Sequence, residues 1–269
     1  MNRESKPVNL VENKERESIY KFGNELAHEA GQILLGFSKK RNEPIWKGPT
    51  DFKTQADNMV ANLVRERIRA KFPTHSIWSE ELPPQKNDQN WWFNDELDGT
   101  LPFARGYSDR WSFSLGFQSG GFKFGFINMA GLNKLFEAVE GEKSYFNGER
   151  INVSSCEDIN RAIVGWDAGK GTNRTSIIPF VQKLFSDDGA TYAPSSGCAT
   201  AGLMSVANGE LDAYIAVGLG PEDMTAAVPI IRGAGGKVTA IDGTEWHPHC
   251  GSILASNLVL HQKLLEFFR

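Results

Sequence analysis

Between positions 91 and 106 the chain has a short apolar run that ends in two aspartates and continues into a turn: Trp91-Trp92-Phe93-Asn94-Asp95-Glu96-Leu97-Asp98-Gly99-Thr100-Leu101-Pro102-Phe103-Ala104-Arg105-Gly106. We interpret the run as a strand that leads directly into a helix. Two carboxylates a few ångströms apart raise each other's pKa unless a cation binds beside them. The free N–H groups at a helix start favour an anion such as phosphate. These features together suit Mg²⁺-dependent phosphoryl transfer to water.

The same stretch also has a simpler interpretation. Asp and Gly are common turn residues, so the pattern D-x-x-D-G-T fits a surface turn that caps a helix. The pattern alone does not separate a metal site from such a turn. The choice therefore depends on the rest of the chain.

The composition is that of an ordinary globular protein. The chain has 269 residues, of which 40% are hydrophobic and 23% charged, enough for one large domain or two closely packed ones. A net charge of −4 argues against a nucleic-acid partner. We find no signal peptide in the polar N-terminal segment and no apolar run long enough to span a bilayer. The three cysteines, Cys156, Cys198 and Cys250, show no metal-binding pattern and are expected to be reduced. We expect a cytoplasmic protein with no membrane partner.

The periodicity of apolar residues divides the chain into three parts. Residues 1–14 are polar and are expected to be a disordered lead-in. Residues 15–155 read as two helices on an antiparallel sheet, which would form an α+β part that binds metal and phosphate. Residues 156–269 alternate strands and helices, among them a single helix over 223–232, and would form an α/β part that completes the active site.

Three further acidic stretches occur in the chain: Asp51-Phe52-Lys53-Thr54-Gln55-Ala56-Asp57, Ser79-Glu80-Glu81 and Glu222-Asp223-Met224-Thr225-Ala226-Ala227. Taken singly, Asp57 and Asp223 fit helix N-caps and Glu80 fits a solvated surface acid. Lys47 is a candidate cation of the site, although a solvated lysine is an equal alternative. The four acidic stretches together favour a metal site.

In these stretches the chain resembles the inositol monophosphatase-like, Mg²⁺-dependent, lithium-sensitive phosphatases. The family pattern W-x-x-D-P-[IL]-D-G-T-x-x-F corresponds to Trp92–Phe103, and the patterns D-x-x-T-x-x-D, G-E-E and W-D-x-A-A-G correspond to the other three stretches. The resemblance extends from about Ala27 to the C-terminus. It implies a layered αβαβα sandwich of the sugar-phosphatase type, shared by inositol monophosphatase and fructose-1,6-bisphosphatase, and a homodimer.

The resemblance also implies roles for individual residues. Glu80, Asp95 and the Leu97 carbonyl would hold one Mg²⁺, and Asp95 would bridge to a second ion held by Asp98 and Asp223, with two or three ions in the site. The remaining roles are those of catalysis, phosphate binding and substrate contact. Glu80, Thr100 and Asp57 would take part in catalysis, with Thr100 hydrogen-bonded towards Asp57. The N–H groups of Gly99 and Thr100 would bind phosphate. Ala199 and Ala216 would contact the substrate.

The chain departs from the family pattern at three positions. Glu96 stands in place of a proline, Glu222 in place of a tryptophan and Ser79 in place of a glycine. Both glutamates add negative charge to the expected site. Ala216 also stands where inositol-selective relatives carry an acid that binds ring hydroxyls, so myo-inositol 1-phosphate is not expected to be the best substrate.

The function expected from the sequence is Mg²⁺-dependent hydrolysis of a small phosphate monoester by a metal-activated water. The substrate type stays open among inositol phosphate, histidinol phosphate, fructose 1,6-bisphosphate and 3′-phosphoadenosine phosphates. A non-catalytic regulatory member of the same fold is the alternative from a different class.

Overall fold

The computed structural model describes residues 10–169 and 172–269. Within these ranges two large β-sheets alternate with three layers of helices, and three hydrophobic cores lie between the layers. The arrangement is the αβαβα sandwich that the sequence predicted.

Two helices form the first layer. Helix α1 spans Leu10–Ser38 and α2 spans Gln55–Lys71. Residues 10–14, predicted to be disordered, belong to α1, because the helix begins before its apolar face does; residues 1–9 lie outside the described ranges. Helix α2 begins with a capping box, in which the Thr54 hydroxyl accepts from the Ala56 N–H and the Asp57 carboxylate accepts from the Thr54 N–H at 2.7 Å.

The second layer is a sheet of seven strands. A separate small pair, β1 (Ile45–Trp46) and β2 (Phe52–Lys53), precedes it. The sheet has the order β3-β4-β5-β6-β7-β8-β9 and is antiparallel, as predicted, except that β3 and β4 are parallel. Its strands are Ser76–Ser79, Trp91–Asp98, Ser112–Ser119, Phe122–Met129, Lys134–Val139, Tyr145–Phe146 and Glu149–Arg150, and the short helix α3 (Thr100–Arg105) follows β4.

The second half of the chain supplies the other three layers. The second sheet has the order β10-β11-β13-β12, with strands Val164–Ala168, Ala213–Val217, Gly236–Thr239 and Ser252–Asn257 for β10 to β13 in chain order. Between the sheets lie α5 (Ala199–Ala207), α6 (Pro221–Met224) and α7 (Ala227–Gly233), and on the outer face lie α4 (Ile178–Leu184) and α8 (Leu258–Phe267). The middle core joins residues from both halves, such as Ile127 and Ile253. The division into 15–155 and 156–269 stays a prediction.

The single helix predicted over 223–232 is two helices, α6 and α7. Pro229 has no N–H to donate to a carbonyl four residues earlier, so it fits only within a first helical turn. The backbone between the two helices also approaches the large sheet closely. A Cβ on Gly125 would lie 1.9 Å from the Ala226 carbonyl oxygen. The break therefore lets the chain lie directly on a glycine of β6.

None of the helices in the described ranges is both long and apolar enough to cross a lipid bilayer.

His261 gives the stability of the second half a predictable pH dependence. Its ring is fully buried, with Nε2 3.0 Å from the Thr239 hydroxyl and Nδ1 2.9 Å from the Ser256 hydroxyl. Burial lowers the pKa of His261 from 6.5 to about 4, and the positive charge of Lys237 acts in the same direction. The unfolded chain therefore binds a proton first as the pH falls, and the stability contributed by neutral His261 is lost from about pH 6.5 down to pH 4.

We expect the free energy of unfolding to fall by on the order of 2 kcal/mol more in the wild type than in His261→Gln between pH 7 and pH 4.5. Urea unfolding at the two pH values measures this difference. Equal losses in the two proteins would show that His261 is not the group responsible.

Candidate active site

A cavity of about 460 Å³ opens where the C-terminal end of β4 meets the first turns of α3, α5 and α6. Its floor carries the acidic residues that the sequence singled out. Glu80, Asp95, Asp98 and Asp223 all line it. Residues more than 140 positions apart in the chain thus meet at one strand end.

A β-bulge places Asp95 and Asp98 on the same side of the sheet. Side chains three positions apart on a regular strand face opposite sides. Here Asp95 pairs with Ser114 and Asp98 pairs with Ser112, so β4 uses three steps where β5 uses two. The extra residue rotates the strand and brings both carboxylates to the cavity.

The three aspartates are each fixed by the protein through one oxygen. Asp98 Oδ2 accepts from the N–H and the hydroxyl of Thr200, both at 2.6 Å, and from the Cys198 thiol at 3.3 Å. Asp223 Oδ2 accepts from the Gly220 N–H at 2.7 Å, and Asp95 Oδ1 from the Leu97 N–H at 2.9 Å. A carboxylate has two oxygens, so each residue can still offer one to a cation.

The carboxylates form two groups that share Asp95. Oxygens of Asp95, Asp98 and Asp223 lie within 4.8 Å of one another, and so do oxygens of Glu80, Asp95 and Glu96. Two sets of oxygen donors that share a bridging aspartate suit a pair of hard divalent cations such as Mg²⁺. The residues present therefore fit the metal centre that the sequence predicted.

Burial and mutual repulsion act on these acids in the same direction. Burial raises the pKa of Asp95 well above its usual value, and the charges of Glu80, Asp98 and Asp223 raise it further. Burial also raises the pKa values of Asp98 and Asp223. The charged cluster is thus unfavourable on its own, and a cation would stabilise it.

Gly99 and Thr100 form the turn into α3 beside these acids. Gly99 has a φ of +80°, and a Cβ there would lie 2.9 Å from the Arg110 carbonyl oxygen, so only glycine fits. Both residues line the cavity. The Thr100 hydroxyl donates to the Leu97 carbonyl at 2.9 Å.

The expected hydrogen bond between Thr100 and Asp57 is not formed. Asp57 does not line the cavity; it closes the capping box of α2 as the third helical residue, while Thr54 and not Asp57 is the N-cap. Its Oδ1 is buried without a hydrogen-bond partner among the described residues. Burial is the main reason that its pKa rises to about 6, with Glu81 and Glu80 adding repulsion.

Lys47 lies at the edge of the site, as its position in the sequence suggested. Its ammonium group is 2.6 Å from Glu81, 3.3 Å from Glu80 and 3.5 Å from Asp51. It therefore neutralises the outer part of the acidic group.

The two predicted substrate contacts have different outcomes. Ala199, at the start of α5, lines the cavity. Ala216 does not: it is fully buried in the middle core, because it shares the face of β11 that packs against α5. The assignment of Ala216 to the substrate, and the substrate preference inferred from it, therefore stay predictions to which this position in the core adds no support.

Asp167 is a cavity residue that the sequence reasoning missed. It pairs with Ala216 from the neighbouring strand β10 and lines the cavity. Its oxygens accept from Ser195 at 2.6 Å, the Gly197 N–H at 3.0 Å and Tyr214 at 2.9 Å. It thereby fixes the loop before α5. An aspartate at the end of an apolar strand, as in β4, was the available signal.

Glu222, one of the two added acids, also faces the cavity. Its carboxylate accepts from the indole N–H of Trp78 at 2.6 Å. Burial is the largest cause of the raised pKa of Asp223, and the charge of Glu222 is the second.

Arg174 is another residue that lines the cavity, and no sequence pattern indicated it.

The fold is the αβαβα sandwich of the sugar phosphatases, with a buried acidic centre at its strand ends. The chain belongs to the inositol monophosphatase family, whose family model matches residues 15–269.

Individual relatives agree with this assignment. The chain is 27% identical over 247 residues to the fructose-1,6-bisphosphatase/inositol-1-monophosphatase of Thermotoga maritima, covering 91% of this chain and 93% of that protein. It is 30% identical over 220 residues to the Nus factor SuhB of Escherichia coli K12, covering 80% of this chain and 81% of that one. The solved structure of the inositol monophosphatase from Anabaena sp. PCC 7120 matches with a TM-score of 0.81 at 29% identity, covering 93% and 95% of the two chains.

Proposed function

We propose that this protein is a phosphoric monoester hydrolase that uses Mg²⁺ to hydrolyse a small phosphorylated metabolite. The observation that carries the proposal is the convergence of two carboxylate groups through a shared Asp95, beside the turn formed by Gly99 and Thr100. The cavity volume of about 460 Å³ is in the range typical of small-molecule sites.

The carboxylates and the Leu97 carbonyl would hold two or three Mg²⁺ ions. Glu80, Asp95 and Leu97 would bind the first ion, while Asp95, Asp98 and Asp223 would bind the second. When bound, such ions lower the pKa of a water and neutralise charge on the attacking and leaving oxygens.

The other residues of the site would bind phosphate and direct the water. Gly99 and Thr100 line the cavity at the start of α3, and their N–H groups would hold phosphate oxygens. Thr100 and Glu80 would orient the attacking water and accept its proton. We assign Asp57 to positioning, since it caps α2 and does not line the cavity.

A phosphate-release assay on four substrate types tests the proposal and narrows the substrate. We would use myo-inositol 1-phosphate, fructose 1,6-bisphosphate, histidinol phosphate and 3′-phosphoadenosine 5′-phosphate. We expect release from at least one of them with Mg²⁺, loss of release in EDTA, recovery on adding Mg²⁺ and inhibition by lithium. Full activity in a metal-free preparation would refute the mechanism.

A non-catalytic role in regulation is the second candidate. One relative at 30% identity is named as a Nus factor, and Glu96 and Glu222 depart from the family pattern within the site. This candidate predicts a folded protein that releases no phosphate from any of the four substrates.

For the enzyme we also propose, on the family resemblance, that it is a homodimer in the cytoplasm. Size-exclusion chromatography with light scattering would measure the oligomeric state.

A further inference from the structure

Glu96 is a fully buried acid directly behind the cavity, which it does not itself line. It lies on β4 between Asp95 and Leu97 and is 0% exposed. Its Oε1 accepts from the Ser79 hydroxyl at 2.5 Å and from the Asn94 side-chain amide at 2.7 Å. These two donors fix the orientation of the carboxylate.

The second oxygen of Glu96 has no hydrogen-bond partner. Oε2 is buried and unpartnered within the described ranges. A buried oxygen of this kind is unfavourable unless something that the protein does not itself supply binds to it. An oxygen of Glu96 also lies within 4.8 Å of ligand oxygens of both Glu80 and Asp95. Its surroundings are therefore those of a cation ligand.

An alternative partner of Glu96 is Arg65: burial lowers the pKa of Arg65, and the charge of Glu96 acts in the opposite direction and raises it. Arg65 instead donates from its Nη2 to the Pro83 carbonyl at 2.8 Å. Its Nε is buried and, like Glu96 Oε2, has no hydrogen-bond partner among the residues described. Arg65 therefore interacts with the charge of Glu96 but leaves Glu96 Oε2 without a hydrogen bond.

We infer that Glu96 is an additional protein ligand of the divalent cation that Glu80, Asp95 and the Leu97 carbonyl would hold. The inference rests on the metal site of the proposed function. Proline, the usual residue of the family pattern at this position, has no side-chain oxygen to offer. Mg²⁺ ordinarily keeps several waters and takes one or two carboxylates. A third carboxylate in this chain would replace one water and hold the ion more tightly.

Calorimetric titration with Mg²⁺ of the metal-free proteins tests the inference without measuring activity. We would compare the wild type with Glu96→Gln and with Glu96→Pro, which restores the family residue. The matched control is Glu140→Gln. Glu140 pairs with Arg232 at 2.8 Å and also has a buried and unpartnered Oε2, but unlike Glu96 it belongs to neither carboxylate group of the site.

We expect both Glu96 variants to bind one ion at least tenfold more weakly, and Glu140→Gln to bind as the wild type does. Terbium luminescence lifetimes in H₂O and D₂O count the waters on a bound ion, and we expect one more water in Glu96→Pro. Affinities within twofold of the wild type in Glu96→Gln, or an unchanged water count in a folded Glu96→Pro, would overturn the inference alone. If the wild type binds no Mg²⁺ at all, the proposed function fails as well, so the two failures are distinguishable.

Discussion

Asp98→Asn is expected to lower kcat for phosphate release by on the order of 10³-fold or more while the protein stays folded. The asparagine side chain can keep an oxygen towards the N–H and hydroxyl of Thr200, which hold Asp98 at 2.6 Å. It cannot supply the negative charge that the second cation needs. The measurement is kcat at saturating substrate and Mg²⁺, with circular dichroism to monitor the fold.

Asp242→Asn is a closely matched control for this variant. Asp242 also accepts from the N–H and hydroxyl of one threonine, Thr244, at 2.9 and 2.6 Å, but it does not line the cavity. We expect it to retain wild-type kcat. In the metal-free protein, Asp98→Asn should unfold at a temperature no lower than the wild type, because burial raises the pKa of Asp98 and makes its charged form unfavourable near neutral pH. Retention of more than a tenth of the wild-type kcat in a folded Asp98→Asn would remove Asp98 from the proposed metal site.

The family resemblance of the four acidic stretches was sufficient to predict the layered fold and the acidic residues that meet in the cavity. Periodicity located individual helices and strands, and the apolar run before Asp95 and Asp98 indicated a strand end. The bulge between Asp95 and Asp98, which turns both carboxylates to one side, was not readable from the sequence. It depends on how β4 pairs with β5, and pairing is a property of two strands rather than of one.

The positions of Ala216 and Asp167 were not readable from the sequence for a similar reason. Ala216 was given to the substrate by its distance from Asp223 along the chain, yet strand β11 turns that side chain into the core. Asp167 reaches the cavity from the neighbouring strand because β10 and β11 pair in parallel, with Asp167 opposite Ala216. A contact between parallel strands joined by a long crossover cannot be inferred from local spacing.

Asp57 shows that one residue can satisfy two interpretations of its sequence context. The pattern Thr54-x-x-Asp57 was matched to a family motif, and the structure shows that it forms a capping box for α2. The two interpretations are compatible, since a residue that fixes the start of α2 also fixes the loop before it. Activity measurements on Asp57 variants would therefore have to separate stability from catalysis.

Thr100→Ala is expected to lower kcat by on the order of 10²-fold, if the hydroxyl directs the attacking water. Thr100 lines the cavity, and its hydroxyl donates to the Leu97 carbonyl at 2.9 Å. That carbonyl is one of the proposed ligands of the first cation. Thr100→Ser keeps the hydroxyl, so its kcat should stay within about tenfold of the wild type. The measurement is kcat and KM for both variants at saturating Mg²⁺.

Two routes could connect the Thr100 hydroxyl to catalysis, and the affinity for Mg²⁺ separates them. If the hydroxyl acts on the water, Thr100→Ala should lose kcat with little change in Mg²⁺ affinity, because the cation keeps its carboxylates and the Leu97 carbonyl. If it acts only by orienting that carbonyl, Mg²⁺ affinity should fall and excess Mg²⁺ should restore kcat. Recovery of kcat in excess Mg²⁺, or near-wild-type kcat in Thr100→Ala at any Mg²⁺ concentration, would show that a group other than Thr100 directs the water. Glu80 would then be the remaining candidate, because it lines the same cavity and shares a cation group with Asp95.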